Sequence, residues 1–304
     1  MLRKIEFGPA HWLDIQHPTT EELTGLSRQY GIPIQMAEEC LSPDHLPKFA
    51  RTPSGGFMIV RAYDQDATDS TTEIGAATRK VAIFWGDNFL ITVHRTRLDW
   101  FDELWTEWSQ KHLTPHSDLG TALYEIIGEA LFTFEAPIDR ATVAIDNLED
   151  AIFQETRSAT SSNVLSVAFL AKKRATLFKR MLRLTRDVLP SVTKLGDPSS
   201  PAIQSLKEEI ERLFYNADDL VETAGDLVQL SITLSSSRTN DLVRLLTIVS
   251  IFLLPLNLIT GVYGMNFTFM PELQQAWGYP AALALMTAIE AGIFLWLRNK
   301  KWLT

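Results

Sequence analysis

Residues 234–266 read LSSSRTNDLVRLLTIVSIFLLPLNLITGVYGMN. The apolar run inside this stretch, 245–264, has about the 20 residues that a helix needs to cross a bilayer. It is entered beside Arg238 and Arg244 and ends in Tyr-Gly-Met-Asn. A second run, 279–297, follows a short connection and is left at Arg298, Lys300 and Lys301. The connection, 265–278, carries Glu272 as its only charge. Basic flanks on one side of both runs put both ends in the cytosol and the short loop outside. Trp277 and Tyr279 at one end, and Trp296 and Trp302 at the other, suit the two interfaces. A buried helical hairpin in a soluble protein would not need that asymmetry.

Upstream of the run, no helix breaker appears between Pro201 and Pro255. Ser200 offers an N-cap and Pro201 the first helical position. Ile203, Leu206, Ile210, Leu213, Ala217, Leu220, Ala224, Leu227 and Leu234 follow a spacing of three and four, with Ser231 in the one polar place. An ordinary core helix shares such a seam. The missing stop before the apolar run distinguishes this one: it predicts a single rod of about 60 residues, roughly 90 Å long. Such a rod reads as a stalk that enters a membrane, and its seam is a candidate for holding several copies together.

The totals fit that reading. The chain has 304 residues, 46% of them hydrophobic, and a formal net charge of −9. From Asn240 onward Asp241, Glu272 and Glu290 face Arg244, Arg298, Lys300 and Lys301, net +1; this leaves 34 acids against 24 bases, net −10, in 1–239. An acidic domain of that kind repels nucleic acid and anionic lipid and attracts cations. Cys40 is alone, so neither a disulfide framework nor a thiolate cluster is expected. MLRKIEF lacks the apolar core of a signal peptide.

Before the stalk, strands are expected at 3–8, 57–63, 80–86 and 89–94, with GDN (86–88) as a hairpin turn. Helices are expected at about 20–30 and 34–41, and TPSGG (52–56) reads as a break. Residues 119–156 predict one long helix kinked at Pro137, and 163–195 a second. The segments are therefore 1–117, a cytosolic α/β domain; 118–200, a helical hairpin; 201–244, the stalk; 245–264, the first span; 265–278, the outer loop; 279–297, the second span; and 298–304, a basic tail.

On a helical wheel, Thr247, Ser250, Leu254, Asn257, Gly261 and Gly264 fall on one broad side of the first span, and Asn240 and Val243 continue the row downward. Leu245, Ile248, Phe252, Ile259 and Val262 make up the other. A small-and-polar stripe either packs tightly against a neighbour or lines a watery path. Two spans cannot enclose a pore alone. Conduction therefore demands a closed ring of copies.

Tyr263-Gly264-Met265-Asn266 resembles the signature of the CorA family of divalent-cation channels. NFTFMPEL with WGYP resembles the family's outer loop, and KKWL its basic tail. HWLDIQHPTTEEL, YGIPIQMAEECL and LPKF are similar to its N-terminal pattern, so the likeness runs over nearly the whole chain. It implies an α+β membrane protein: a cytosolic α/β domain and a long helical stalk continuous with the first of two transmembrane helices, five copies forming a funnel in the inner membrane with both termini cytoplasmic. It implies a selectivity filter at Gly264, Met265 and Asn266, with Asn240, Val243, Leu246, Leu254, Asn257 and Gly261 at successive pore positions. Asn257 stands where the family often has Thr, and Leu254 and Val243 where it often has Met. The resemblance also implies that cytosolic Mg²⁺ bridges acidic side chains between copies; the candidates are Asp146, Glu149, Asp150, Glu208, Glu209, Glu211, Asp218 and Asp219.

The cargo implied is Mg²⁺, with Co²⁺ or Ni²⁺ also admitted, and no resident cofactor. Mg²⁺ dehydrates reluctantly. A neutral amide ring at Asn266 suits it, because it accepts hydrogen bonds from the ion's waters without trapping it. Leu254, Leu246 and Val243 would close by dewetting. Glu272 would gather cations at the outer mouth, or simply be a solvated loop charge. Glu290, an acid inside the second span, is expected to serve packing rather than to bind the ion. It also keeps open a Zn²⁺ transporter of the ZntB type, driven by protons. A membrane-tethered enzyme finds no support: no GxxxxGK[ST], no HExxH and no nucleophile elbow is present.

Overall fold

The structure is a computed structural model describing residues 2–7, 9–68, 70–110, 119–154, 161–192, 201–265, 270–300 and 302. These fall into two compact units, Met1–Ser231 and Ile232–Thr304.

The first unit is built on a six-stranded sheet in the order β1-β2-β6-β5-β4-β3. The strands are β1 (Leu2–Phe7), β2 (Ala10–Gln16), β3 (Lys48–Thr52), β4 (Gly55–Tyr63), β5 (Thr78–Gly86) and β6 (Phe89–His94). Only the β2–β6 pair is parallel. The expected strands and the turn at 86–88 are present. The TPSGG break is the β3–β4 turn, where a Cβ on Gly55 would lie 1.9 Å from the Trp85 carbonyl oxygen, at φ +153°. Strands β2 and β3 come in addition.

Alternation along β2 shows how the sheet is covered. Leu13 and Ile15 face a core closed by α1 (Thr20–Tyr30) and α2 (Ile34–Glu39), together with Leu23, Leu26, Phe57, Phe84 and Ile91. The short α3 (Ile74–Ala77) leads into β5. Trp12 points the other way from Leu13 and Ile15, edge-on to Phe101, Trp105 and Trp108 of α4 (Asp99–Gln110), with ring centroids 5.8, 4.9 and 6.3 Å away. Asp14 shares that second face and is fully buried. It accepts from Arg3 at 2.7 and 3.0 Å and from Thr92 at 2.7 Å, and lies 3.2 Å from His94 Nε2. Burial opposes ionisation of Asp14, yet His94, Thr92 and Arg3 outweigh it and hold its carboxyl below the usual range.

The expected helix 119–156 is two helices, α5 (Leu119–Phe132) and α6 (Glu135–Gln154). Pro137 lies in the first turn of α6, and the break precedes it. A proline offers no N–H to the carbonyl four residues back and its ring collides with that carbonyl, here Thr133. The Thr133 hydroxyl instead accepts from the Tyr63 N–H at 2.7 Å and donates to the Ala130 carbonyl at 2.6 Å, tying the break to β4. Helix α7 (Ser161–Val192) follows. Ser200 lies outside the described residues.

Helix α8 runs from Pro201 to Tyr263, so the boundary between the units falls inside it. In the first unit all nine of Ile203, Leu206, Ile210, Leu213, Ala217, Leu220, Ala224, Leu227 and Ser231 are buried. The seam is therefore already covered within a single chain. It packs antiparallel to α7, as Arg186 over the Phe214 ring at 4.0 Å and the Lys179–Asp218 ion pair show. The expectation that this seam holds copies together is corrected: its apolar side chains are already used.

The second unit contains the rest of α8, a 3-10 turn at Pro271–Gln274 and α9 (Gly278–Asn299). Gly278 lets the turn approach α9, since a Cβ there would sit 2.0 Å from the Glu272 carbonyl oxygen. Both helices contain stretches long and apolar enough to cross a membrane.

Candidate ion-conducting site

In the second unit the apolar window of α8 contains no buried residue. Its coverage is nevertheless uneven. Ile248, Phe252, Pro255 and Ile259 form a half-buried strip. Leu245 and Val262, at the edges of that strip, are exposed. On the opposite side Asn240, Val243, Leu246, Leu254, Asn257 and Gly261 are all exposed, with Leu246 and Leu254 at 66%. The stripe read from the sequence thus lies within the side of α8 that the chain itself leaves bare, a side it shares with Leu242, Val249, Leu253 and Leu258.

Thr247 and Ser250 lie at the half-buried margin of this stripe. Each donates its hydroxyl proton to its own helix, to the Val243 carbonyl at 2.7 Å and the Leu246 carbonyl at 2.8 Å. Thr260 does the same toward Leu256 at 3.0 Å. The donors being occupied, these hydroxyls offer only lone pairs outward. That polarity suits a hydrated cation, whose waters present hydrogens. Gly261 has open space where a Cβ would stand. Pro255 removes the hydrogen bond that the Ile251 carbonyl would otherwise accept, on the half-buried side.

The helix ends with Gly264 N–H donating to the Thr260 carbonyl at 2.8 Å and Met265 N–H to Val262 at 3.3 Å. Gly264 is not in the left-handed region, so a positive φ is not what calls for glycine here. The glycine is explained instead by closeness: a Cβ would meet the Thr260 carbonyl oxygen at 3.0 Å. Met265 is 54% exposed. Asn266 lies outside the described residues. Glu272 is exposed on the 3-10 turn. Glu290 lies inside α9, half-buried, with Oε1 buried and lacking a hydrogen-bond partner among the described residues.

The acidic candidates are dispersed. Asp146, Glu149 and Asp150 are exposed on α6. On α8, Glu209 accepts from Arg212 at 2.7 Å, Glu211 lies 3.4 Å from Arg186, and Asp218 pairs with Lys179. The hydrogen bonds from Arg212 to Glu209 and Glu135 raise its pKa, so that group is a firm cation. Glu208 accepts from Gln204 at 2.8 Å, and Asp219 is exposed. Among the described residues no three His, Cys, Asp or Glu side chains come together as a cation cage.

The family model described as "CorA-like Mg2+ transporter protein" matches residues 9–300. The cobalt/magnesium transport protein CorA of Thermotoga maritima is 26% identical over 95% of this chain and 85% of its own length. The structure of the CorA magnesium transporter from Methanocaldococcus jannaschii superposes with a TM-score of 0.71 at 22% identity, covering 98% of this chain and 93% of that one. The ZntB cytoplasmic domain from Vibrio parahaemolyticus shares the fold of the part it covers, 77% of this chain and 88% of its own, with a TM-score of 0.52 at 14% identity.

Proposed function

This chain belongs to the CorA-like Mg²⁺ transporter family, and from that premise we propose that it conducts Mg²⁺ passively through a ring of five copies, with the bare stripe of α8 facing the water. It is an integral membrane protein and a divalent-cation transporter, not an enzyme. The observation that carries the finer reading is the sidedness of α8. Asn240, Val243, Leu246, Leu254, Asn257 and Gly261 are bare, while Ile248, Phe252, Pro255 and Ile259 are half-covered by the chain's own residues. Closed symmetry supplies what one chain lacks, because the same stripe repeats around an axis. Since the seam of α8 is buried within the chain, other surfaces must hold the ring.

The chemistry follows from charge and hydration. Asn266 sits at the outer rim and presents neutral amide oxygens to the waters of the arriving ion. Asn257 repeats that offer about two turns inward. Below both, Leu254, Leu246 and Val243 form apolar collars where a narrow water column breaks and the path shuts. Glu272 raises the local cation concentration before entry. A divalent cation gains about 4.6 kcal/mol on crossing 100 mV, so no coupled energy source is needed. Co²⁺ and Ni²⁺ pass as similarly hydrated ions. The termini are cytoplasmic, given Arg298, Lys300 and Lys301 after α9 and no Lys or Arg between the spans. Regulation belongs to the same proposal: Mg²⁺ would close the ring by bridging exposed carboxylates of neighbouring copies, Asp146, Glu149 and Asp150 among them.

The test is Mg²⁺ uptake into proteoliposomes by Asn266→Ala protein whose oligomer is checked by size. Loss of uptake with the oligomer intact is the expected result. Uptake at the unaltered rate removes Asn266 from the filter.

A second reading rests on Glu290, whose Oε1 is buried without a described partner inside a membrane helix. A carboxyl there can carry a proton, which suits Zn²⁺ transport coupled to protons. Zn²⁺ uptake that follows an imposed pH gradient, and that loses this dependence in Glu290→Gln, would favour it over passive Mg²⁺ flow.

A further inference from the structure

The first unit places three cations in a row, on two adjacent strands and just past the end of a third, inside the acidic stretch 1–239 whose net charge is −10. Arg61 of β4 and Lys80 of β5 are direct cross-strand partners. The register of β5 with β6 pairs Val81 with His94, so Arg95 comes next to Lys80 just beyond β6. Like charges directly opposite each other destabilise a sheet. Here two of them are also buried, Arg61 at 1% and Lys80 at 7% exposure. Among the described residues no carboxylate hydrogen-bonds to either. Arg61 donates to the carbonyls of Pro43 and His45 at 2.8 Å, to the Thr78 hydroxyl at 2.6 Å, and to the carbonyls of Thr78 at 3.2 Å and Ile74 at 3.5 Å. Lys80 Nζ donates to the Glu39 carbonyl at 2.5 Å and to that of Ser42.

The nearby carboxylates are engaged or outside. Asp64 pairs with Arg79, and Glu39 bridges to Lys48 at 2.5 Å. Asp44 is exposed and acts on Arg61 only through space. Arg95 is exposed and has no hydrogen-bond or ion-pair partner among the described residues. Between these groups lies a cavity of about 150 Å³, lined by Arg61, Thr78, Arg79, Lys80, Arg95 and Thr96. The electrostatic cost is visible in the lysine. Burial, with the charges of Arg61 and Arg95 adding to it, pushes Lys80 down to about 8.

We propose that this cavity binds a phosphate group, held by the remaining N–H of Lys80 and the free guanidinium of Arg95. Arg61 has all its donors occupied; it contributes charge from behind and fixes the segment 43–45. A guanidinium and an ammonium converging on one small cavity match a tetrahedral oxyanion. The volume admits one such group and leaves anything attached to it outside. The site lies in the first unit and does not depend on the transport reading.

The test is calorimetric titration of the full chain in detergent micelles, with inorganic phosphate in one arm and adenosine monophosphate in the other, in chloride buffer of matched ionic strength. One saturable site per chain is expected in at least one arm; binding of the nucleotide alone identifies a phosphomonoester as the ligand. Arg95→Ala, on an exposed side chain, should weaken that binding by about tenfold or more. Lys80→Gln, accepted only if its thermal transition is retained, should weaken it as well. Absence of saturable binding in both arms, or unchanged affinity in Arg95→Ala, overturns the proposal.

Discussion

The two halves of α8 share one helix and obey opposite rules. From Pro201 to Ser231 the apolar side chains of the seam are spaced by three and four and buried. From Ile232 to Tyr263 they are dense, and the apolar window contains no buried residue. Hydrophobicity alone therefore does not tell where a side chain ends up. In water a helix hides its narrow seam and leaves the other faces polar. In lipid the outer face can remain apolar, and what stands out is the side where small and polar groups collect. The first half is explained by its own chain. The second is explained by a bilayer and, in the ring proposed above, by the same stripe on further copies.

The sharpest way to break this contrast is to place one charge in each half. Leu213→Asp puts a carboxylate into the buried seam, and a loss of at least about 4 kcal/mol is expected, read as a missing thermal transition of the first unit. Leu254→Asp, on the bare stripe, should leave that transition in place and change only ion flux. Equal damage by both would erase the distinction.

A smaller effect, confined to the first unit, is expected at Asp14. Asp14→Ala removes the carboxylate beside the buried His94 and the buried half of the Arg3 pairing, leaving Arg3 only Asp102, and should cost about 3 kcal/mol in thermal or denaturant unfolding. The carboxyl of Asp14 is held below its ordinary 3.8. Its contribution is therefore fully present above the unfolded value and is lost as pH falls through the lower folded one. Stability of the wild-type unit should drop more steeply below pH 3.8 than that of Asp14→Asn. Parallel curves would show that the carboxyl carries no such linkage.

Smaller again is Thr133→Val, which leaves the Tyr63 N–H without its acceptor at the α5–α6 break. A loss of about 1–2 kcal/mol is expected. Flux per folded oligomer should be unaltered, because the break lies in the first unit.

Much of this was legible in the sequence, for reasons that differ by region. The seam of α8 can be read residue by residue, since burial in water enforces the helical period. Strands β4, β5 and β6 are rich in β-branched and aromatic residues and can be read likewise. Strand β2 is harder, because Asp14 occupies an inward position where alternation demands an apolar residue; its partners Arg3, Thr92 and His94 are distant in sequence. Strand β3, KFART, has two bases and lies at the sheet edge, where the signal is weak. Helix α4 carries its apolar face as Phe101, Leu104, Trp105 and Trp108, a legible spacing that a strand-rich neighbourhood obscures. The α5–α6 break is displaced from Pro137 because the proline acts on the carbonyl four residues upstream. As for the site, the bare side of α8 is readable from its small and polar residues. The role of Asn266 rests on family resemblance, since spacing alone assigns no filter. The cation row of Arg61, Lys80 and Arg95 needs strand register and could not be read from the sequence.

The central claim is that the stripe of α8 meets water while the opposite strip does not. Single cysteines test it in proteoliposomes with a charged, membrane-impermeant thiol reagent. Cys40 is silent there, being buried with its thiol pushed up to about 12 by that burial. Asn257→Cys and Leu246→Cys should be modified, and Mg²⁺ flux should fall as the label accumulates. Ile248→Cys and Ile259→Cys should stay unlabelled over the same time. Labelling of Ile248→Cys and Ile259→Cys with the other two protected would contradict the account and place the water on the other side of the helix.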